Sequence, residues 1–418
     1  MSFFSRLFGN PQANSITTSE DLAKVLQQVG AMLSASSGVS VTPSKAEGLP
    51  AAFRAVELIG DTLATIRCEL FRDRINDKGR LVSEAAVDDP RYWLLYERAN
   101  ERQTAFQFKK MLQTDQEWRG VGYALKVFGV GRRIQELIRL HPDRTRPVEN
   151  SNNELEFEYT RPDGRRIRYR QNEIVHLLKN TDDGLNAKSV LKLHRETFGE
   201  GLAMQRHSGK FFANGTRTTG VLKLAQGLKM GDDSVKALRK DFNDLYQGVD
   251  NAFETPFLPA GIDYSPVTIN HTDAQYIEAR QMSIRDISRI FGPPPHKLGD
   301  LADATFSNVE EQNIEFVNDC AKPRGRLWTE VLTRDVLEGE QKLEFRFGFS
   351  ALLRGKAKEQ AETHNLYRRM GVWNANEIRS DLGANPREDE GGEQFIVEKN
   401  MSGTRAPESE IEMEGTQR

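Results

Sequence analysis

At 418 residues, with 38% hydrophobic and 28% charged side chains and a net charge of −3, the chain is long enough for two or three domains and should carry much solvated surface. No run approaches the ~18 apolar residues of a membrane-spanning helix, and a pI near 6.3 argues against a general nucleic-acid binder with a net basic face. Cys68 and Cys320 stand far apart in sequence and form no metal or redox motif, which fits a reducing compartment.

Residues 1–48 read as a flexible N-terminal arm. Met1–Phe8 is too short for a signal-peptide core, and Ser34–Gly38 and Val41–Pro43 have linker composition. Asp21–Val29 is a candidate short helix. Periodic order begins at Pro50, where Phe53, Val56, Gly60 and Leu63 share a helical face. Ile66–Phe71 reads as a strand and Asp77–Gly79 as a turn. Arg91–Arg98 and Thr104–Arg119 read as helices. Strands follow over Gly120–Phe128, Ile134–Leu140, Leu155–Tyr159, Ile167–Arg170 and Ile174–Leu178. Strands and helices do not alternate regularly, so residues 49–185 are expected to fold as α+β rather than as a doubly wound sheet.

Asn186–Phe212 has the spacing of one long helix, with Val190, Leu193, Thr197, Gly201, Met204, Ser208 and Phe211 along one stripe. Glycine inside a helix costs about 1 kcal/mol against alanine. Either a neighbouring element approaches closely, or the helix breaks near Gly199–Gly201. A small insertion follows, with a strand at Gly220–Leu224, a helix at Ser234–Leu245 and turn chemistry over Phe257–Tyr264.

The firmest punctuation lies between Thr272 and Glu311. Thr272 and Gln275 have capping-box spacing, and Ile277, Ile284, Ile287 and Phe291 form an apolar stripe. Gly292 suits a left-handed helix end, and Pro293, Pro294 and Pro295 forbid continuation. Ser307 and Glu310 repeat the capping spacing, and Pro323 should kink or split the helix they open. Lys342–Phe349 alternates as a strand, and Leu352–Met370 and Asn376–Leu382 read as helices. The end of the chain is acidic, with Glu408, Glu410, Glu412 and Glu414, and is expected to be disordered.

Catalytic motifs are missing from the sequence. There is no Gly-x-x-x-x-Gly-Lys-Ser/Thr loop to cradle a nucleotide phosphate, no His-Glu-x-x-His and no Gly-x-Ser-x-Gly. Gly129-Val-Gly131 lacks the third glycine of a dinucleotide loop. A nuclease built from carboxylates dispersed along the chain stays open on these grounds, as does a purely structural assembly protein.

Arg289-Ile-Phe-Gly-Pro-Pro-Pro-His-Lys-Leu-Gly299, followed by Ala304-Thr305, Asn308, Glu311-Gln312 and Pro323, resembles the signature of siphovirus-type portal proteins of tailed bacteriophages. Phe212–Leu222, Asn172–His176, Asp183–Leu185, Asp273–Arg280 and Asn376–Arg379 with Gly383 and Pro386 resemble further segments of that family in the same order. Gly120-Val-Gly-Tyr123 departs from the family's usual Gly-Asn-Ala-Tyr, and Ala187 and Val190 replace a usual Gly and Pro.

The resemblance implies a subunit with a mixed wing (49–185), a first stem helix (186–213), a clip (214–271) and a second stem helix (272–291). It continues with a tunnel loop (292–306), a kinked helix and wing strand (307–350), a helical crown (351–392) and an acidic tail (393–418). It implies a ring, typically of twelve copies, at a capsid vertex, assembled in the host cytoplasm. Double-stranded DNA would pass through it. The terminase large subunit, the major capsid and scaffolding proteins and a head–tail adaptor would be its partners, with no membrane, metal or cofactor. By the same resemblance, His296, Lys297, Asp300, Asp303 and Thr305 would line the channel. Gly292 and the three prolines would stiffen the loop, and Arg217 and Lys223 would serve docking at the clip.

Overall fold

The computed structural model describes residues 35–75, 81–213, 220–224, 231–246, 262–266, 273–302, 306–340, 342–352, 357–382 and 384–396. The chain divides into two compact units, Met1–Gly348 and Phe349–Arg418.

The arm expected to stay flexible through residue 48 is packed from residue 35 onward. Ala35, Val39, Val41 and Ala46 are buried, and Thr42 caps the single helical turn α1 (Pro43–Ala46). Small side chains gave this stretch its linker-like composition. They are small because the segment lies against a helix backbone further along the chain.

Pro50 occupies the first turn of α2 (Pro50–Thr65), where its missing N–H is not needed. The buried face runs through Ala52, Val56, Ile59, Gly60 and Leu63. Phe53, expected on that face, is 48% exposed. Strands β1 (Cys68–Ile75) and β2 (Leu81–Ala85) pair antiparallel. Asp89 caps α3 (Pro90–Tyr96). A short hairpin, β3 (Arg98–Asn100) and β4 (Gln103–Thr104), leads into α4 (Ala105–Arg119).

Thr104 and Gln107 form a reciprocal capping box at the start of α4, and Gly120 ends it at φ +81. A side chain at Gly120 would overlap the Lys188 carbonyl oxygen, so both backbone conformation and space require glycine there. A Cβ at Gly60 would stand 3.3 Å from Thr114 Oγ1 and 3.4 Å from Lys110 Cγ on α4, so glycine there relieves a tight approach of α2 to α4.

Strands β5 (Val121–Phe128) and β6 (Ile134–Leu140) join β10 (Ile174–Leu178) in the order β10-β5-β6. Between them β7 (Thr145–Glu149), β8 (Leu155–Thr160) and β9 (Arg166–Arg170) form a second sheet. Every ladder is antiparallel, as α+β chain order anticipates. Val121, Tyr123, Leu140, Phe157 and Ile174 close a core between the two sheets.

The expected long helix is two. A turn, α5 (Val190–Leu193), gives way at His194 (φ −112, ψ 30) to α6 (Arg195–Ala213). The break falls at His194 and not among the glycines. It lets Val190 and Leu191 bury on one side while Phe198 and Leu202 bury from α6. The glycines meet neighbours: a side chain at Gly199 would overlap Ala35, and one at Gly201 would touch Leu49 and Ser283. Ser36 donates through its N–H and Oγ to Glu196 Oε2, at 2.8 and 2.6 Å, and fastens the N-terminal segment to α6.

Strand β11 (Gly220–Leu224) pairs with β12 (Ile262–Pro266), and α7 (Asp232–Tyr246) lies between them in sequence. Then come α8 (Asp273–Phe291) and α9 (Phe306–Glu315). Ser307 lies inside α9 rather than at its cap. The disturbance expected at Pro323 takes the form of a π-helical stretch, Phe316–Ala321, running directly into α10 (Lys322–Asp335). The Lys322 N–H reaches back five residues to Val317 O, which widens the turn just where proline has no N–H to give. Finally β13 (Leu343–Phe347) returns to pair with β1, so that the sheet reads β13-β1-β2.

In the second unit α11 (Ala357–Arg369) and α12 (Ala375–Asp381) form a small helical pair. Asn374 and Glu377 cap α12 reciprocally. Trp373 packs against the rings of His364 and Tyr367, and His364 Nε2 lies 3.0 Å from Asp381.

Candidate functional site

Glu117 on α4 is fully buried and meets two cations and an amide. Arg324 Nε approaches Oε1 at 2.6 Å, Lys179 Nζ approaches Oε2 at 2.6 Å, and Gln113 Nε2 donates at 2.6 Å. Burial opposes ionisation of Glu117. The Arg324 guanidinium and the Lys179 ammonium outweigh it and hold the carboxyl below its usual range. Trp328 Nε1 donates to Gln113 Oε1 at 2.7 Å and extends the cluster into α10.

The same guanidinium holds the end of α8. Arg324 donates to Phe291 O at 2.8 Å and to Cys320 O at 2.8 Å. One side chain thus ties α4, the C-terminus of α8 and the π segment together. Cys320 Sγ faces Phe291 O at 3.7 Å, and burial pushes its thiol up to about 11. Phe291 is itself wedged against Trp118 and Phe198, with ring centroids at 5.6 and 6.3 Å.

From this anchor the loop leaves α8. Gly292 adopts φ +100, and a Cβ there would sit 3.1 Å from Cys320 Sγ. Its N–H donates to Ser288 O at 2.7 Å, while Ser288 Oγ donates to Pro293 O at 2.7 Å. Pro293 is buried, and Pro294 and Pro295 are half-buried. A 3-10 turn over Pro295–Leu298 ends at Gly299 with φ +96.

His296 and Lys297 fold onto the helix that follows. His296 Nδ1 lies 2.6 Å from Gln312 Oε1, and Nε2 lies 3.4 Å from Asn313 Oδ1. Lys297 Nζ stands 5.4 Å from the centre of the Phe316 ring. Burial and the Arg54 charge lower its pKa. Asp300 is buried, accepts Arg285 Nε at 3.1 Å and receives the Ala302 N–H at 3.2 Å. Within the chain Asp300 therefore fastens the loop to α8. Asp303, Thr305 and Arg217 lie outside the described residues. Lys223 is exposed on β11, opposite Asp263.

The helix carrying these contacts shows its other side to solvent. Glu311, Ile314, Glu315, Asn318 and Asp319 are exposed and recur at steps of three and four. Three of the five are acidic, so this face repels phosphate.

A second junction joins β10 to α10. The His176 N–H donates to Asp335 Oδ2 at 2.9 Å, and Arg334 Nη2 donates to His176 O at 3.1 Å. The His176 ring stacks on Tyr123 at 5.1 Å, and burial pushes it down to about 4, so it stays neutral at physiological pH. His176, Gly184 and Leu185, from two of the short motifs read in the sequence, line one small cavity of about 60 Å³.

The loop is legible in the sequence, but its foundation is not. Glu117, Lys179, Arg285 and Arg324 carry no motif. Around Glu117, Gln113, Asp115 and Gln116 are also buried, so the helix face that matters is polar and escapes an apolar-periodicity reading.

Residues 50–383 match the family model for phage portal proteins. The chain belongs to that family. Its curated relatives include the probable portal protein of Streptomyces phage phiC31, 26% identical over 96% of this chain and 89% of that protein. Among solved structures, an HK97-family phage portal protein from Corynebacterium diphtheriae superposes with a TM-score of 0.54 at 18% identity, over 75% of this chain and 96% of that one. The neck of a native gene transfer agent particle, solved with C12 symmetry, matches with a TM-score of 0.51 at 22% identity, over 86% and 99%. The portal-family match takes in both anchored junctions and the proline loop, together with α11 and α12 of the second unit. Among the described residues no helix is long and apolar enough to cross a membrane, and no group of three or more His, Cys, Asp or Glu could hold a metal ion.

Proposed function

We propose that this portal-family chain assembles as a closed ring of about twelve copies at a capsid vertex, with DNA passing through the central hole. The observation that carries this reading is the loop from Gly292 to Ala302, stiff in backbone and held at its base by the Arg324–Glu117 pair. A ring repeats each side chain once per copy, so a well-anchored loop becomes a circular collar.

DNA carries about one charge per 1.7 Å of axis, and strong basic contacts would grip it. In this loop His296 and Lys297 are turned onto Gln312 and Phe316, Asp300 is spent on Arg285, and the exposed face of α9 is acidic. We assign the channel lining to the loop's far end, including Asp303 and Thr305, with Glu311 and Glu315 beside it. His296, Lys297 and Asp300 act as its fasteners. The β11–β12 insertion, with Lys223 and Arg217, is the docking end for the packaging motor and later for a head–tail adaptor. The two-sheet domain faces the capsid and scaffolding proteins. The chain is structural and not an enzyme, and the motor's ATP is hydrolysed elsewhere. Ring assembly belongs to the host cytoplasm and the finished ring to the virion.

Negative-stain imaging of purified protein is expected to show rings with a central hole. Mass photometry that finds only monomers or dimers across salt and concentration would refute the ring.

A further inference from the structure

Strand β9 is the edge of the sheet β7-β8-β9, and among the described residues its only strand neighbour is β8. The hairpin closes with Arg161 N–H donating to Arg165 O at 2.8 Å and Gly164 N–H donating to Arg161 O at 2.9 Å. Pairing then alternates along the register, so Ile167 and Tyr169 bond inward to Tyr159 and Phe157. The backbone N–H and C=O of Arg166 and Arg168 face outward. Arg170 N–H also points out and is taken by Glu173 Oε2 at 2.8 Å, which closes that end.

The side chains along this edge alternate. Arg166, Arg168 and Arg170 are exposed on one face, while Ile167 and Tyr169 are half-buried on the other. Arg166 and Arg168 are only loosely engaged, with their nearest carboxylates, Glu156 and Glu158, at 3.7 to 3.8 Å. Glu158 is already held by Arg146 Nε at 3.0 Å. An arginine ladder on an open edge repels a second copy of itself. It favours a strand whose alternate residues are acidic, because directly opposed charges stabilise a strand pair.

The chain carries such a sequence. Glu408-Ser-Glu-Ile-Glu-Met-Glu414 places glutamate at every second position, with Ile411 and Met413 between, and is bounded by Pro407 and Gly415. We propose that the β9 edge takes the Glu408–Glu414 segment of a second copy as an added strand. Antiparallel, Glu414, Glu412 and Glu410 stand opposite Arg166, Arg168 and Arg170, and Met413 and Ile411 stand opposite Ile167 and Tyr169. A slip of one residue sets two of the three glutamates against Ile167 and Tyr169, so the charges specify the register. The backbone groups of Arg166 and Arg168 supply the main-chain bonds, and the side chains supply selectivity. The choice of a second copy as donor rests on the ring proposed above; the fit of segment to edge does not.

The test uses the full chain and a full-length variant with Glu410→Lys, Glu412→Lys and Glu414→Lys. Hydrogen exchange at the Arg166 and Arg168 amides is expected to be about tenfold slower in the wild type, with β7 and β8 amides unchanged as the folding control. A labelled Pro407–Gly415 peptide should bind the tail variant. A peptide of the same composition with its glutamates contiguous should bind about tenfold more weakly. Adding Arg166→Glu, Arg168→Glu and Arg170→Glu to the tail variant should restore the protection. Equal exchange in wild type and tail variant overturns the docking. Equal binding of the contiguous-glutamate peptide reduces it to plain charge attraction and overturns the strand. Protection that persists in protein shown by mass photometry to be monomeric overturns the second copy as donor. If the protein forms no ring, the peptide titration still reports on the edge by itself. If the β9 variant does not fold, the tail variant and the two peptides decide.

Discussion

Glu117 has no solvent exposure, and its two cations, Lys179 and Arg324, have little freedom to find other partners. Replacing it with Gln keeps the size and removes the charge, leaving both cations buried without an anion. Breaking a buried pair in this way costs about 3–5 kcal/mol. Urea unfolding of Glu117→Gln should show that loss; a change below about 1 kcal/mol would mean that the cluster relaxes into water. The pH dependence has a definite sign. Because the folded carboxyl is held below its unfolded value of 4.5, its stabilisation is complete above that pH and is lost as pH falls through the folded value. Glu117→Gln should therefore be less acid-sensitive than the wild type. Gly292→Ala tests the next residue along the same path. At φ +100, and with Cys320 Sγ 3.1 Å from the new Cβ, it should lower stability by at least ~1 kcal/mol, read as a drop in Tm. An unchanged Tm would show that the loop base is not held as tightly as its hydrogen bonds imply.

At the scale of elements, the proline loop and the helix after it move or hold as one, since His296 and Lys297 clasp Gln312 and Phe316. Changing Asp303 and Glu311 to lysine places new positive charge, repeated around a ring, on the surface proposed to meet DNA. Assembly should be unaffected, while DNA affinity at low salt should rise and fall steeply with added salt. Unchanged affinity in intact rings would move the channel lining elsewhere. Much of the element order was legible in the sequence. The limits of β6, β10 and β11 match those read from the sequence, and α4 begins one residue after the Thr104 expected to open it. Strand β7 escaped notice because Pro147 interrupts it, as an edge strand permits. The break at His194 and the packing of residues 35–41 are set by tertiary neighbours, which a local pattern does not contain. The loop's prolines could be read directly, but Arg324 could not, because its partners lie 33 and 207 residues away.

For the whole molecule, a ring that only conducts DNA needs no nucleotide site, and the sequence has no phosphate-cradling loop. Purified protein should hydrolyse ATP no faster than a mock preparation. Turnover abolished by a single substitution in this chain would make it an enzyme after all. The closure of the first unit has a further consequence for how the chain is made. Strand β1 is the middle of its sheet, yet its partner β13 is encoded about 270 residues later, beyond both helices α6 and α8 and the proline loop. On a ribosome, β1 waits with one side open while everything between is translated. Bringing so distant a strand home is slow, and an unpaired strand invites the wrong neighbour meanwhile. A nascent chain stopped after α8 should be prone to aggregate, and the sheet is completed only when the central excursion has already been synthesised.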